Sequence, residues 1–338
     1  MACTKTRSAS SSSSSAALLS RLSRSLAEHY TRQAHPAAAA DCYEQANQEL
    51  RWLAEAARER EPAWESVLEG MVGDMVERDK PLAYVLGTQP FHPLMHPLVV
   101  RPPTLIPRPE TEHWVSLLAS RIISGRPTKA REEFRFLDIG TGTGCIALAL
   151  TAHLRATGRT VRATAVDRAP TALALAAENT ARQSLADAVV VREADLFTPS
   201  FADALTRETG TDVGRFDLVV SNPPYITKAE YATLDHSVRA WEDHGALVGE
   251  QVGSASQGDV KDDGLVFYRR IASLLAKLLA HDAPGKAPVV AFEVGQGQAR
   301  AVERMLRDWR GEGTRRLDAE VVKDPWGIER AVFARWDQ

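Results

Sequence analysis

From Phe134 to the end of the chain, short apolar runs that suit β-strands alternate with longer segments that suit helices. This alternation constrains the fold more than any other feature, because successive βα units build a parallel sheet with helices on both faces. Five runs predict parallel strands: FRFLDI, VRATAV, DAVVV, FDLVV and APVVAFEV. LDAEVVKD and RAVFARW are separated only by PWGIE and predict an antiparallel hairpin. The expected fold class is therefore α/β, a doubly wound Rossmann-like sheet with an antiparallel C-terminal hairpin.

The composition of the chain argues against several classes of protein. Its 338 residues are 44% hydrophobic, enough for one large domain and a smaller one. The formal net charge is -3, so no overall positive field attracts nucleic acid or an anionic membrane surface. No apolar run approaches the roughly 20 residues that span a bilayer, and the three cysteines have no metal-like spacing. We expect a monomer with no metal site and no direct nucleic-acid or membrane partner.

Residues 1–40 differ in composition from the rest. They are rich in serine and carry several Lys and Arg residues against the single acid Glu28, which is typical of an organellar transit peptide. Leucines at helical spacing alternate with arginines, which predicts an amphipathic helix with a basic face: Leu18, Leu19, Leu22 and Leu26 against Arg21 and Arg24. We expect a disordered targeting segment and a protein of the mitochondrial matrix. The alternatives are a tail without an address and a cytoplasmic protein.

Three further segments follow this one. From residue 41 to residue 90, apolar residues recur at spacings of three and four, which predicts a small helical domain. Residues 91–112 are rich in proline and β-branched residues and predict an extended or hairpin linker. Residues 113–338 contain the predicted sheet and form the main domain.

The first predicted strand is followed by DIGTGTG, with a glycine at every second position. Such a loop turns sharply, brings its backbone close to a ligand and leads into the amino end of a helix. Ligands of doubly wound sheets bind where strands end. The loop therefore predicts a binding site; a tight turn without a ligand is the alternative. Its residues are Gly140, Thr141, Gly142, Thr143 and Gly144.

Acidic residues follow the next two predicted strands. Asp167 ends the run AVD, where a carboxylate can accept hydrogen bonds from the ribose hydroxyls of an adenosine-type cofactor. An N-cap for the following helix is the alternative role. Asp195 and Leu196 follow the third strand, where the carboxylate can accept from an exocyclic amine and the leucine can cover a ring face. For Asp195, a solvated loop acid is the alternative.

The fourth strand ends in SNPPYI, which contains two consecutive prolines. Each proline fixes its own φ and extends the residue before it, so Asn222, Pro223 and Pro224 form a stiff corner. The Asn222 side-chain oxygen and the Pro223 carbonyl can accept both N–H bonds of a planar NH2 group. Tyr225 can lie against the flat face of that group. The corner predicts a catalytic site formed by Asn222, Pro223 and Tyr225.

The order DIGTGTG, AVD and NPPY resembles the S-adenosyl-L-methionine-dependent methyltransferases that modify planar nitrogens. The stretches DKPLAYVLGTQPF, TLIPRPETE, FEVGQGQ and DPWGIER resemble the peptide chain release factor glutamine N5-methyltransferases, called HemK or PrmC. The resemblance runs from about Pro81 to the last residue. It implies a Rossmann-like class I methyltransferase sheet preceded by a small helical domain.

The resemblance also implies roles for the motifs. Residues 222–225 would hold the glutamine of the GGQ tripeptide of a release factor, a mitochondrial one if residues 1–40 are a targeting segment. The helical domain, 41–90, would dock that protein. S-adenosyl-L-methionine would be bound by residues 140–144, Asp167, Asp195, Leu196 and Asn222. Arg108, Glu110 and Glu112 would position the domains, with helix capping and ion pairs as an equal alternative.

Three other functions share parts of this pattern. An adenine-N6 methyltransferase of nucleic acid acts on the same kind of NH2 group, but it needs a basic surface that the net charge does not predict. A nicotinamide-dependent dehydrogenase needs a different glycine spacing and a second substrate domain. A noncatalytic binding protein with the same fold has no need of the NPPY corner.

Overall fold

The computed structural model describes residues 8–33, 39–60, 62–125, 133–207, 215–250, 262–280, 286–311 and 315–337. The chain divides into two compact units. Residues 1–87 and 236–241 form the first unit, and residues 88–235 and 242–338 form the second. Each unit has a hydrophobic core of its own.

The first unit is helical. Trp64 and the apolar residues that follow it at spacings of three and four lie on α3, as the sequence predicts, and Leu68 is fully buried. A short helix from later in the chain joins this unit, and its Trp241 indole donates a hydrogen bond of 3.1 Å to the Arg78 carbonyl. The helices are α1 (Ser8–Gln33), α2 (Ala39–Arg60), α3 (Trp64–Arg78), α4 (Leu82–Leu86) and α10 (His236–Trp241).

The amphipathic helix expected near the N-terminus is part of this helical core. Leu22 is buried and Leu26 is fully buried, in one cluster with Leu53 and Leu68. The structure therefore differs from the disordered segment expected over residues 1–40. An apolar helix face is stabilised when a partner covers it, and α2 and α3 provide that partner. The ends of the expected segment, residues 1–7 and 34–38, lie outside the described residues.

The second unit is built on a seven-stranded sheet in the order β5-β4-β3-β6-β7-β9-β8. Strands β3 to β7 pair in parallel, whereas β9 is antiparallel to both β7 and β8. The α/β fold class and its C-terminal hairpin are thereby confirmed. The strands are β3 (Glu133–Ile139), β4 (Thr160–Asp167), β5 (Val189–Glu193), β6 (Leu218–Ser221), β7 (Val290–Glu293), β8 (Leu317–Lys323) and β9 (Glu329–Trp336).

Helices cover the sheet of the second unit and bury its apolar side chains in two clusters. Trp114 and Tyr268 are among the largest fully buried side chains. The helix expected after the glycine loop begins at Cys145. The helices are α5 (Pro109–Gly125), α6 (Cys145–Arg155), α7 (Pro170–Arg182), α8 (Phe201–Arg207), α9 (Lys228–Tyr231), α11 (His244–Leu247), α12 (Val266–Leu278) and α13 (Ala299–Asp308).

The segment before the sheet contains both an extended part and the start of a helix. Strands β1 (Thr88–Gln89) and β2 (Leu98–Val99) pair antiparallel. Helix α5 begins at Pro109, inside the linker expected over residues 91–112. Proline suits the first position of a helix, and Glu110 and Glu112 in the first turn interact favourably with the helix dipole.

The strand order places a topological switch point between β3 and β6. The chain continues from β3 to β4 and β5 on one side and returns to β6 and β7 on the other. Loops that leave neighbouring strands in opposite directions open a crevice at the carboxyl edge of the sheet, where ligands of such folds bind. Gly140, after β3, and Asn222, after β6, lie on its two sides.

The helices that the structure describes include no segment with the length and apolar composition of a membrane-spanning helix.

Candidate active site at the carboxyl edge of the sheet

A cleft of about 850 Å³, including its open mouth, lies at this switch point. Among the described residues, no group of three or more His, Cys, Asp or Glu side chains is arranged to hold a metal ion. Eight of the residues predicted from the sequence line the cleft: Gly140, Gly142, Asp167, Asp195, Leu196, Asn222, Pro223 and Pro224.

The glycine loop has the sharp turn that its sequence predicts. Gly142 has a φ of 55°, and its N–H donates a hydrogen bond of 3.0 Å to Asp167 Oδ2. Gly144 has a φ of 85° and precedes the first residue of α6, where a Cβ would lie 3.2 Å from Leu148 Cδ1. The two threonines of this loop, Thr141 and Thr143, are buried and are not among the residues that line the cleft.

Asp138, at the end of β3, is a buried acid that sequence reasoning did not single out. Its Oδ2 accepts a hydrogen bond of 2.7 Å from Thr141 Oγ1, and its Oδ1 is buried without a partner among the described residues. Burial raises the pKa of Asp138 to about 7, against the lowering effect of the Thr141 hydroxyl. Its position as the first residue of DIGTGTG is a signal that could have found it.

Asp167 does not cap the following helix. Helix α7 has Ala169 as its N-cap, with no side-chain hydrogen bond. The two Asp167 oxygens instead accept from the N–H groups of Gly142 and Ala169, both at 3.0 Å. A carboxylate has further lone pairs, so these bonds leave room for ribose hydroxyls. The geometry favours the ligand role over the N-cap role.

Asp195 and Leu196 line the same cleft as Asp167. The Phe197 N–H donates a hydrogen bond of 2.9 Å to Asp195 Oδ1 and so orients the carboxylate. Leu196 is only 6% exposed and packs into the core beneath the cleft. A fixed carboxylate beside an apolar side chain is suited to the polar edge and the flat face of a purine ring.

The Asn222 corner is anchored to the neighbouring strand. Ser221 is fully buried, and its hydroxyl donates a hydrogen bond of 2.7 Å to the carbonyl of Ile139, which ends β3. This bond holds the start of the corner beside the glycine loop. Among the described residues, the Asn222 side-chain amide has no hydrogen-bond partner, so it is available to a ligand in the cleft.

Tyr225 is not brought to the cleft wall with the other members of the corner. Its ring packs on the core, where Tyr225 Cδ2 lies 2.8 Å from the position that a Cβ on Gly295 would take. Burial raises the pKa of its hydroxyl, and the nearby Glu293 carboxylate acts in the same direction. The structure therefore packs the Tyr225 ring on the core side, where the absent side chain of Gly295 leaves room for it.

Two segments meet at the mouth of the cleft and are joined by an ion pair. Arg108 Nη2 contacts both carboxylate oxygens of Glu242, at 2.7 and 2.6 Å, and the Glu242 carboxylate is buried. Next to this pair, the Asp243 N–H donates a hydrogen bond of 2.7 Å to the Pro103 carbonyl. Lining residues lie beside both contacts: Thr104 and Leu105 on one segment, and Asp243, Gly245 and Ala246 on the other.

The two acids of the TLIPRPETE stretch, Glu110 and Glu112, also have partners within the second unit. Glu110 Oε1 lies 3.4 Å from Arg330 Nη2. Glu112 Oε2 accepts a hydrogen bond of 2.8 Å from the His92 N–H. These contacts match the alternative of ion pairs and hydrogen bonds at a helix start.

Comparison with known proteins connects this geometry to a family. A family model described as "Methyltransferase small domain" matches residues 119–244, which include the glycine loop and the Asn222 corner. The release factor glutamine methyltransferase of Geobacter sulfurreducens is 36% identical over 79% of this chain and 76% of its own length. The protein of that name from Nitratidesulfovibrio vulgaris is 38% identical over 76% of this chain and 72% of its own. The chain belongs to the family of release factor glutamine methyltransferases.

A third member of this family, from Chlorobaculum tepidum, is 33% identical over 75% of this chain and 74% of its own length. The resemblance inferred from the motifs is thereby confirmed. Family membership argues against a nicotinamide-dependent dehydrogenase.

Besides Asp138, sequence reasoning missed three residues that shape the site. Ser221 anchors the Asn222 corner, which is also the acceptor corner of the site, and Glu242 holds Arg108 at the cleft mouth. Gln298 donates hydrogen bonds to the carbonyls of Tyr225 and Asp263. Gln298 lies in FEVGQGQ, so the motif marked it without indicating its contacts. Ser221 and Glu242 carry no signal apart from their positions beside NPPY and in WEDHG.

Proposed function

We propose that this chain transfers a methyl group from S-adenosyl-L-methionine to the side-chain amide nitrogen of the glutamine in the GGQ tripeptide of a peptide chain release factor. The observation that carries the proposal is the Asn222 corner, whose unpaired amide and two prolines line the same cleft as Asp167 and Asp195. The named relatives make glutamine the favoured acceptor over an adenine of nucleic acid.

The residues of the cleft fit this cofactor chemically. Asp167 can accept from ribose hydroxyls, Asp195 from an exocyclic amine, and Ile139 and Phe267 add apolar lining. Carboxylates near the site also favour a positively charged ligand. When bound, the cofactor supplies an electrophilic methyl group on a sulfonium, with S-adenosylhomocysteine as the leaving product.

The corner supplies orientation rather than a strong base. An amide nitrogen is a weak nucleophile because its lone pair is shared with the carbonyl. The Asn222 side-chain oxygen and the Pro223 carbonyl accept the two N–H bonds of the acceptor amide and so fix the direction of its lone pair. Positive charge that develops on the acceptor nitrogen during transfer would be stabilised by both oxygens, and the proton that the nitrogen gives up would pass to water. Because the prolines hold the corner rigid, little further entropy is lost when the acceptor binds.

The helical unit is assigned to docking of the protein partner, with the chain acting as a monomer. Its α2 helix brings Tyr43 and Trp52, 48% and 46% exposed, to the surface. Exposed aromatic side chains are frequent anchors of protein interfaces.

We also propose that the basic N-terminal region directs the chain to mitochondria, where a mitochondrial release factor is the natural partner. Its serine-rich composition and exposed Arg21 support the idea. Since Leu22 and Leu26 are buried in the folded unit, the address would be read before α1 packs. A fluorescent fusion of residues 1–40 should accumulate in mitochondria, and a fusion that stays diffuse in the cytosol would remove this proposal.

One experiment tests the proposed reaction directly. The purified protein is incubated with methyl-labelled cofactor and an intact release factor, its GGQ→GGA variant, DNA or RNA. We expect label only on the intact factor, mapped by mass spectrometry to the GGQ glutamine. Label on the GGA variant or on either nucleic acid would refute the assignment.

A further inference from the structure

A turn at the end of the C-terminal hairpin presents an exposed tryptophan. Trp326 is 80% exposed and lies between β8 and β9, in the turn from Asp324 to Ile328. Ile328, two residues later, is 39% exposed. Gly327 provides the left-handed residue of the turn, with a φ of 82°. The turn does not require an indole, since Gly, Pro, Asn, Asp and Ser are the residues that favour turns.

A buried carboxylate holds this turn in one conformation. Asp324 Oδ1 accepts hydrogen bonds from the N–H groups of Trp326 and Ile328, at 3.0 and 2.9 Å. Its Oδ2 accepts from Arg330 Nε at 3.0 Å, and the Asp324 N–H donates to the Ile328 carbonyl at 2.9 Å. The Asp324 side chain is 1% exposed. The exposed indole is therefore carried on a rigid support, which lowers the entropy lost when it binds a partner.

The strand register places this turn at the same edge of the sheet as the acceptor corner. Ser221, which precedes Asn222, pairs with Phe292 of β7, and Phe292 pairs with Val332 of β9. Because β9 runs antiparallel to β7, the turn that precedes β9 extends beyond the carboxyl ends of the parallel strands. Two strand spacings, roughly 10 Å in all, separate β6 from β9 across the sheet.

A protein that inserts a side chain at Asn222 covers this part of the surface. Stable interfaces bury about 800 Å² on each partner, so a patch centred on Asn222 reaches roughly 16 Å in every direction. The hairpin turn extends from the same edge of the sheet, two strands away from the Asn222 corner. Tryptophan is among the residues that most often anchor interfaces, because it buries a large area with few rotatable bonds.

We propose that Trp326 is a docking anchor for the protein substrate, inserting into an apolar depression on the release factor domain that carries the GGQ tripeptide. This inference rests on the proposed function. The indole touches the partner at a distance from the reacting atoms, so it contributes equally to the ground state and to the transition state. Its loss therefore raises KM and leaves kcat unchanged.

The test compares Trp326→Ala with a matched control, Met95→Ala. Met95 is 84% exposed but lies beside His96, whose carbonyl accepts a hydrogen bond of 2.6 Å from Gln183 Nε2 at the end of α7. Helix α7 runs back from the carboxyl edge, so Met95 lies at the opposite edge of the sheet. For each variant, KM and kcat are measured with intact release factor, and the affinity for S-adenosylhomocysteine is measured by calorimetry.

We expect Trp326→Ala to raise the KM for the factor at least about tenfold, in the range of interface anchors, with kcat and cofactor affinity unchanged. Trp326→Phe should recover most of the loss, and Met95→Ala should behave as the wild type. An unchanged KM in Trp326→Ala, or a fall in kcat with KM unaltered, would overturn the docking role. A wild-type protein that labels no release factor would instead refute the proposed function.

Discussion

The side-chain amide of Gln298 donates a hydrogen bond of 2.9 Å to the carbonyl of Tyr225, the residue that follows the double proline. The same amide donates to the Asp263 carbonyl at 3.1 Å, and its oxygen accepts from the Gly295 N–H at 3.1 Å. One side chain thus joins the acceptor corner to two other loops. Gln298 is a positioning residue, because it acts on the corner through the backbone of Tyr225.

Replacing Gln298 by leucine should loosen the corner without altering the cofactor end of the cleft. Two carbonyls lose their donor, so we expect a loss of about 1–3 kcal/mol in the free energy of unfolding. We expect kcat to fall about tenfold, since a displaced orienting group costs rate, with cofactor affinity unchanged. Gln296, exposed in the same loop, provides the control, and Gln296→Leu should have neither effect. Equal kcat values for the two variants would contradict the positioning role.

Asn222→Ala removes one of the two acceptors that orient the substrate amide. By the scale of single donors removed from oxyanion holes, turnover should fall about 100-fold, while calorimetry should find a much smaller loss of cofactor affinity, because Asn222 is one of several residues of the cofactor site. Asn222→Gln moves the same amide outward by one methylene and should also react slowly, because orientation and not polarity is required. Wild-type turnover in Asn222→Ala would refute the role of this side chain.

The ion pair at the cleft mouth should matter more than pairs on the surface. Arg108→Ala leaves the Glu242 carboxylate buried without its partner, and we expect a loss of about 2–3 kcal/mol in the free energy of unfolding. Cofactor affinity should also fall, since Asp243, Gly245 and Ala246 line the cleft beside the pair.

The matched control for this ion pair is Arg101→Ala. Arg101 pairs with Glu178 at the surface, where both side chains are about half exposed, and such pairs contribute less than about 1 kcal/mol. Urea denaturation of both variants measures the difference. Equal losses would contradict the structural role of the pair between Arg108 and Glu242.

Asp138 should make the protein less stable as the pH rises towards neutrality. Its folded pKa of about 7 lies above the unfolded value of 3.8, so between these values the folded state holds a proton that the unfolded state has released. The free energy of unfolding therefore falls across this window, by about 4 kcal/mol for a shift of this size. Asp138→Asn lacks this contribution, so its unfolding free energy should depend less on pH between 4 and 7.

A surface acid provides a control of opposite sign. The Arg155 hydrogen bond lowers the pKa of Asp187, so Asp187 contributes stability above its unfolded pKa and loses it as the pH falls through the folded value. Asp187→Asn should leave the window between pH 4 and 7 unchanged. If Asp138→Asn retains the wild-type slope in that window, the buried acid is charged in the folded state and the prediction fails.

Much of the second unit could be predicted from local patterns. Apolar runs, the glycines of DIGTGTG and the prolines of NPPY restrict the backbone within a few residues of themselves, so the succession of strands along the chain and the positions of Gly142 and Asn222 at strand ends followed from the sequence. The direction of the Tyr225 ring did not follow. It depends on the space left by Gly295, a residue 70 positions later, and no local pattern contains that information.

The sequence by itself determined the order of strands and helices, the glycine loop and the rigid acceptor corner, because these depend on backbone restrictions and on the period of apolar residues. Tertiary structure decided which distant side chains support them. Arg108 meets Glu242 across 134 residues, and Gln298 meets Tyr225 across 73. The packing of α1 into the helical core was also decided at this level. Such contacts form only once the chain is folded, since hydrogen bonds and buried faces require partners that are near in space and far apart in sequence.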